Sequence, residues 1–116
     1  MIIRIKNLRA RGIVGIYDWE KDHPQDIIVN VAMEFDGTLA AQTDRIEDTV
    51  DYKRVKRGIL DIIENGRFGL VEAMAHRVAQ MIMEDERVLR ATVEIDKPFA
   101  LRFADSVSIT HTVERR

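Results

Sequence analysis

The chain contains no cysteine, which excludes a disulfide framework, a thiolate zinc site and a cysteine nucleophile. Proline is almost as scarce, with Pro24 and Pro98 the only two, and neither falls inside a periodic segment. No sign of charge dominates: 18 basic and 20 acidic side chains leave a net charge of −2, so the usual electrostatic reason to expect nucleic acid or an anionic membrane as a partner is missing. No stretch approaches the roughly 20 apolar residues of a membrane span. Met1-Ile2-Ile3-Arg4-Ile5-Lys6 breaks its apolar residues with charge, unlike a signal peptide. What is present, 46% hydrophobic and 33% charged residues in a chain of 116, is the balance of one soluble globular domain spanning 1–116, expected in the cytoplasm.

Period-2 patterns lie at both ends of the chain and period-3.6 patterns between them. Residues 2–11 read as a strand, with Ile3 and Ile5 on one parity and Leu8 and Ala10 on the other; the switch near Asn7 predicts a bulge or register break. Over 26–35, Ile27, Val29, Val31, Met33 and Phe35 alternate with Ile28, Asn30, Ala32 and Glu34. The segment between, 14–25, is too long and too charged for a tight hairpin, and such loops are often functional. A connector over 36–50 leads to Asp51, an N-cap for a helix that aligns Val55, Ile59, Ile62 and Ile63 on one face and stops at Asn65-Gly66. A second helix over about 70–83 turns Val71, Met74, Ala75, Val78 and Ile82 inward. In the next strand Leu89, Ala91, Val93 and Ile95 alternate with Arg90, Thr92, Glu94 and Asp96. In the last, Val107, Ile109, His111 and Val113 alternate with polar residues.

The order ββααββ predicts an α+β fold, a four-stranded antiparallel sheet with two antiparallel helices on one face. The other face would carry Asn30, Glu34, Thr92, Glu94, Ser106, Ser108, Thr110 and Thr112, and would be wet. Without proline inside the strands to blunt an edge, pairing with another copy of the chain is expected. A polar-lined barrel built from several subunits would use both features.

Familiar chemical motifs are missing. His23, His76 and His111 fall one to a region with no H-x-H or H-x-x-x-H pair, and no D-x-D-x-D-G loop occurs, so no metal is expected. There is no G-x-S-x-G, Walker loop or G-x-G-x-x-G. Gly66-Arg67-Phe68-Gly69 has the G-x-x-G form of a KH phosphate-clamping loop, but a central phenylalanine and a negative chain favour a plain helix–helix turn. What remains are side chains at element junctions: Glu20 in the first loop, Tyr52 opening the first helix, Glu72 in the first turn of the second, and Lys97 before Pro98. Each alone has a bland reading as a solvated charge, a core phenol, a dipole partner or a strand-end charge.

Together they form a pattern. Gly15-Ile16-Tyr17-Asp18-Trp19-Glu20 with Gln25, Asp48-Thr49-Val50-Asp51-Tyr52, Phe68-Gly69-Leu70-Val71-Glu72 and Lys97-Pro98-Phe99-Ala100-Leu101 resemble the dihydroneopterin aldolase family over nearly the whole chain. The resemblance implies the tunnelling fold, with homo-oligomeric rings (a tetramer, or two rings stacked as an octamer) and active sites between subunits. It implies a small-molecule pterin substrate, neither nucleic acid nor membrane as partner, and no cofactor. The reaction it implies is metal-independent retro-aldol cleavage of 7,8-dihydroneopterin, giving glycolaldehyde and 6-hydroxymethyl-7,8-dihydropterin for folate biosynthesis. The dihydropterin's own N5=C6 imine serves as the electron sink, so neither a Schiff base nor zinc is required. By resemblance Lys97, Glu20 and Tyr52 are the catalytic residues. Glu72 is the pterin anchor, accepting paired hydrogen bonds from N3–H and the 2-amino group, and the backbone around Val71 and Val50 lines the ring pocket.

Ile2–Arg9 and Ala100–Ser108 look instead like the dihydroneopterin triphosphate 2′-epimerase branch, whereas Tyr17-Asp18-Trp19-Glu20 looks like the aldolase. The two activities share a retro-aldol intermediate. Aldolase activity, with 2′-epimerisation alongside, is the expectation; the epimerase is the alternative, with Arg9, Arg11 and Arg102 as triphosphate contacts or ordinary exposed arginines. A non-catalytic oligomer that binds pterins or RNA is the alternative of another class.

Overall fold

A computed structural model describes all 116 residues. β1 (Ile2–Val14) and β2 (Gln25–Phe35) form an antiparallel pair. Ile5 faces Val31 but Leu8 faces Val29, so one extra residue is accommodated between them. There Asn7 adopts φ 53°, and its backbone N–H donates to Asn30 Oδ1 at 2.8 Å. The predicted parity switch is thus a bulge, which returns Leu8 and Ala10 to the core side.

A second irregularity corrects the reading of the next strand. β4 (Val88–Pro98) pairs with β2, and the register shifts between Glu34 and Phe35, so Phe35 faces Val88. Val88 is therefore fully buried while Leu89, expected inward by simple alternation, is 50% exposed. Pro98 ends β4 within the ladder, opposite Ser106 of β5 (Ser106–Glu114).

The sheet is not the expected four-stranded antiparallel one. Arg67 and Phe68 form β3 (Arg67–Phe68), parallel to the end of β1 through Ile13 and Val14. The result is a mixed five-stranded sheet in the order β3-β1-β2-β4-β5. The helix–helix turn expected at Gly66–Gly69 therefore passes through the sheet. Gly66 keeps an ordinary φ of −89°; a side chain there would press on Ile62 O and the Phe68 ring, so it is lack of space that demands glycine.

There are also three helices rather than two. α1 (Thr38–Thr43) occupies the expected connector, begun by Asp36 Oδ1 accepting the Thr38 N–H at 3.0 Å and ended by Asp44 at φ 58°. Its six residues are too few to show a period. α2 (Tyr52–Asn65) is capped as predicted, with Asp51 Oδ1 accepting from Lys53 N at 3.0 Å and Arg54 N at 3.3 Å. α2 lies over β1, and α3 (Val71–Ile82) lies over β4 and β5. Val55, Ile59, Ile63, Met74, Val78 and Ile82 close the core against Ile27, Val29, Val31, Val93 and Ile95. No helix is long and apolar enough to cross a membrane. The end of β1, the start of β2, the end of β4 and the first turn of α3 converge at one end of the molecule.

Candidate active site

The inward parity of β2, followed back from Ile27, lands on Gln25; that of β4, followed forward from Ile95, lands on Lys97. Two polar side chains thus sit where the core pattern calls for apolar ones, at the same end of the sheet. Between them Glu20, from a 3-10 turn over Asp18–Asp22, is buried at 4% exposure, more deeply than any other charged residue. Lys97 Nζ donates to Glu20 Oε2 at 2.6 Å, and Gln25 Nε2 donates to the same oxygen at 2.9 Å. Gln25 Nε2 also donates to Val14 O at 3.1 Å, and the Tyr17 backbone N–H donates to Glu20 Oε1 at 3.3 Å. Burial by itself would push the Glu20 carboxyl up. The hydrogen bonds from Lys97, Gln25 and Tyr17, with the lysine charge, outweigh it and hold the group below its ordinary value. Gly15, at φ 156°, lies so close that a Cβ would clash with the Glu20 carboxyl group.

Lys97, Glu20, Glu72 and Val71 line one cavity of about 450 Å³. Tyr17, Trp19, Phe99 and Leu101 make an apolar rim, all more than half exposed. Glu72 stands in the first turn of α3, whose N-cap Leu70 has no side-chain acceptor, so the turn's N–H groups are left for other partners. Tyr52 and Val50 are not part of this cavity within the chain: Tyr52 opens α2 at 52% exposure, and Val50 is fully buried in the core. Arg9 and Arg11 line a separate cavity of about 530 Å³ that meets the first at Phe99. Although larger, it also holds Asp26 and Glu64, and Arg11 is engaged by Asp26 at 3.6 Å and Pro24 O at 3.0 Å. Arg102 lies over the Phe103 ring at 5.7 Å. No three metal-ligating side chains converge anywhere. A dry ammonium–carboxylate pair facing a second carboxylate across an apolar-rimmed cleft can grip a planar amidine-like edge at one end and exchange protons at the other.

Residues 3–112 match the family model for dihydroneopterin aldolase (FolB). The chain belongs to the dihydroneopterin aldolase family. It is 42% identical over 114 residues, 98% of its own length and 95% of the relative's, to dihydroneopterin triphosphate 2′-epimerase of Escherichia coli K12. It is 28% identical over 108 residues, 93% of this chain and 88% of the relative, to dihydroneopterin aldolase of the same strain. The crystal structure of E. coli dihydroneopterin aldolase in complex with neopterin has the same fold, with TM-score 0.93 at 26% identity over 97% of this chain and 98% of that one.

Two residues of this dihydroneopterin aldolase-family site carry no role in the sequence reading. Gln25 orients the Glu20 carboxylate and Gly15 makes room for it. Gln25 signals itself as a polar residue at an inward strand position; Gly15 stands out only as part of the Gly15–Glu20 motif, because its neighbour arrives through the fold of the loop.

Proposed function

We propose that this chain catalyses retro-aldol cleavage of 7,8-dihydroneopterin. The observation that carries the reading is the meeting, in one cavity, of the Glu20–Lys97 pair with Glu72. The volume, about 450 Å³, falls within the ~300–1,000 Å³ of small-molecule sites. Glu72 accepts the pterin's N3–H and 2-amino hydrogen bonds, which places the side chain toward Lys97 and Glu20. The 2′-hydroxyl proton passes to the Lys97–Glu20 pair, directly or through water. The bond between the first and second side-chain carbons breaks, its electron pair enters the N5=C6 imine, and N5 takes up a proton. Glycolaldehyde leaves, and protonation of the first carbon with loss of the N5 proton gives 6-hydroxymethyl-7,8-dihydropterin, a folate precursor. The ring is the electron sink, so the step asks for no metal.

Tyr52 and the backbone at Val50 enter this reading from a neighbouring copy in a homo-oligomeric ring, a tetramer or a stacked octamer. The outer edges of β5 and of β1 before Ile13 have no strand partner in the chain. On the sheet's polar face Arg4, Lys6 and Arg9 of β1 make no ion pair, while Asp96 Oδ1 of β4 is buried without a hydrogen-bond partner. Closing β1 of one copy on β5 of the next brings these complementary charges toward one another.

A second reading is favoured by the 42% identity to the epimerase against 28% to the aldolase. If the aldehyde stays and re-adds on its other face, the second carbon is inverted instead of lost. Incubation with dihydroneopterin and, separately, with its triphosphate, assayed for glycolaldehyde and for the monapterin epimer, separates the two. Conversion of neither compound overturns both readings. Lys97→Ala is expected to abolish turnover while pterin binding persists, which sets an enzyme apart from a pterin-binding oligomer.

A further inference from the structure

Away from the pterin cavity, His76 of α3 and His111 of β5 meet although 35 residues separate them in sequence. His76 Nδ1 lies 3.2 Å from His111 Nε2, with ring centroids 5.3 Å apart and planes inclined at 61°. His76 is exposed and His111 half-buried, and neither ring makes another hydrogen bond or an ion pair in the chain. We propose that this pair binds one divalent cation of the zinc, nickel or copper class, through two neutral imidazoles with water in the remaining positions.

The spacing carries the inference. Two nitrogens bound at ~2.0–2.1 Å to a tetrahedral ion lie about 3.3 Å apart, close to the separation observed. On a tetrahedral ion each metal–nitrogen bond lies about 35° off the N···N line, so it is rotation of the two rings that aims both lone pairs at one point. Imidazole nitrogen selects borderline metals, whereas magnesium and calcium require oxygen ligands. The ligating atoms are Nδ1 of one ring and Nε2 of the other, so each ring keeps a second N–H that water can fix in its tautomer. With no third protein ligand converging, the site holds its ion in exchange with solvent, and it fastens the edge strand β5 to α3. The same separation also suits an N–H···N hydrogen bond, and metal titration distinguishes the two.

The test uses the untagged full chain and reads metal, so it stands whether or not the chain turns over a pterin. Zinc and nickel chlorides, with magnesium chloride as comparison, are titrated into the wild type, His76→Gln, His111→Asn and His23→Ala, followed by calorimetry and by the imidazole ¹⁵N resonances. The expected result is one zinc per chain in the wild type and in His23→Ala, perturbed resonances of His76 and His111 alone, no effect of magnesium, and at least about tenfold weaker binding in either pair variant. His76→Gln alters only an exposed helix position, so it decides the matter even if His111→Asn does not fold. Absence of saturable zinc binding, or zinc binding unchanged in His76→Gln, overturns the proposal.

Discussion

Substituting Gly15 by alanine tests the site through a residue that does no chemistry. The new methyl would clash with all three atoms of the Glu20 carboxyl group, so the carboxylate must retreat by about 1 Å or more to reach ordinary contact distance. The Lys97 contact at 2.6 Å and the Gln25 contact at 2.9 Å share one oxygen, Oε2, so neither survives such a shift. The Lys97 side chain is 14% exposed and that of Glu20 5%, and separating a buried pair of this kind costs about 3–5 kcal/mol at the upper limit, less where water follows the displaced group. Displacement of a reacting group by about 1 Å lowers turnover ~100-fold. Glu72 lies on a different element, so pterin binding is expected to change far less than turnover.

The assay is steady-state kinetics on dihydroneopterin with pterin affinity measured separately, together with a urea unfolding curve. The expected pattern is a fall in kcat of about two orders of magnitude, an affinity within a fewfold of wild type, and a lowered unfolding midpoint. Wild-type kcat in Gly15→Ala would show that the pair's geometry against Gly15 is irrelevant to the reaction, and the proton-transfer role given to Glu20 and Lys97 would fall with it.

Glu72→Gln keeps the size of the anchor but removes its charge and one acceptor, so pterin affinity should drop by about 10–100-fold, the equivalent of ~1.5–3 kcal/mol for charge-assisted hydrogen bonds; isothermal titration with a pterin reads it. Acid stability should report Glu20: its carboxyl is held below the ordinary 4.5 in the folded chain, so its contribution is complete above that unfolded value and lost as pH falls through the lowered folded one. Glu20→Gln should flatten that limb of an unfolding-against-pH curve, and an unchanged limb would refute the assignment. Asp51→Ala removes the cap of α2 and should cost about 1 kcal/mol in urea unfolding.

Much of this architecture could be read from residue order alone because its signals are local. Asp51 needs only the next three residues to act as a cap, and the Asn7 bulge announces itself as a change of parity within one strand. Long-range effects escaped. Leu89 obeys the alternation of its own strand, yet the shift opposite Glu34 and Phe35 turns Val88 inward in its place. Arg67 and Phe68 carry no strand pattern, and they become β3 because the end of β1 leaves an edge beside them. Tyr52 is a comparable case on the functional side: no strand or helix of its own chain carries it into the cavity, so the role proposed for it requires a neighbouring copy of the chain.

The site also shows why core parity is worth reading for its violations. A strand that carries Val31, Val29 and Ile27 inward and then Gln25, beside one that carries Val93, Ile95 and then Lys97, spends two interior positions on groups that must be hydrogen-bonded to be buried at all. One oxygen of Glu20 satisfies both. That arrangement is costly as a structural device, since apolar side chains of similar volume would stabilise the sheet end at least as well. The return proposed for it lies in chemistry: burial pushes the Glu20 carboxyl up, its three donors and the lysine charge hold it below the ordinary value, and it stands beside the Lys97 amine at the open mouth of the cleft that holds Glu72.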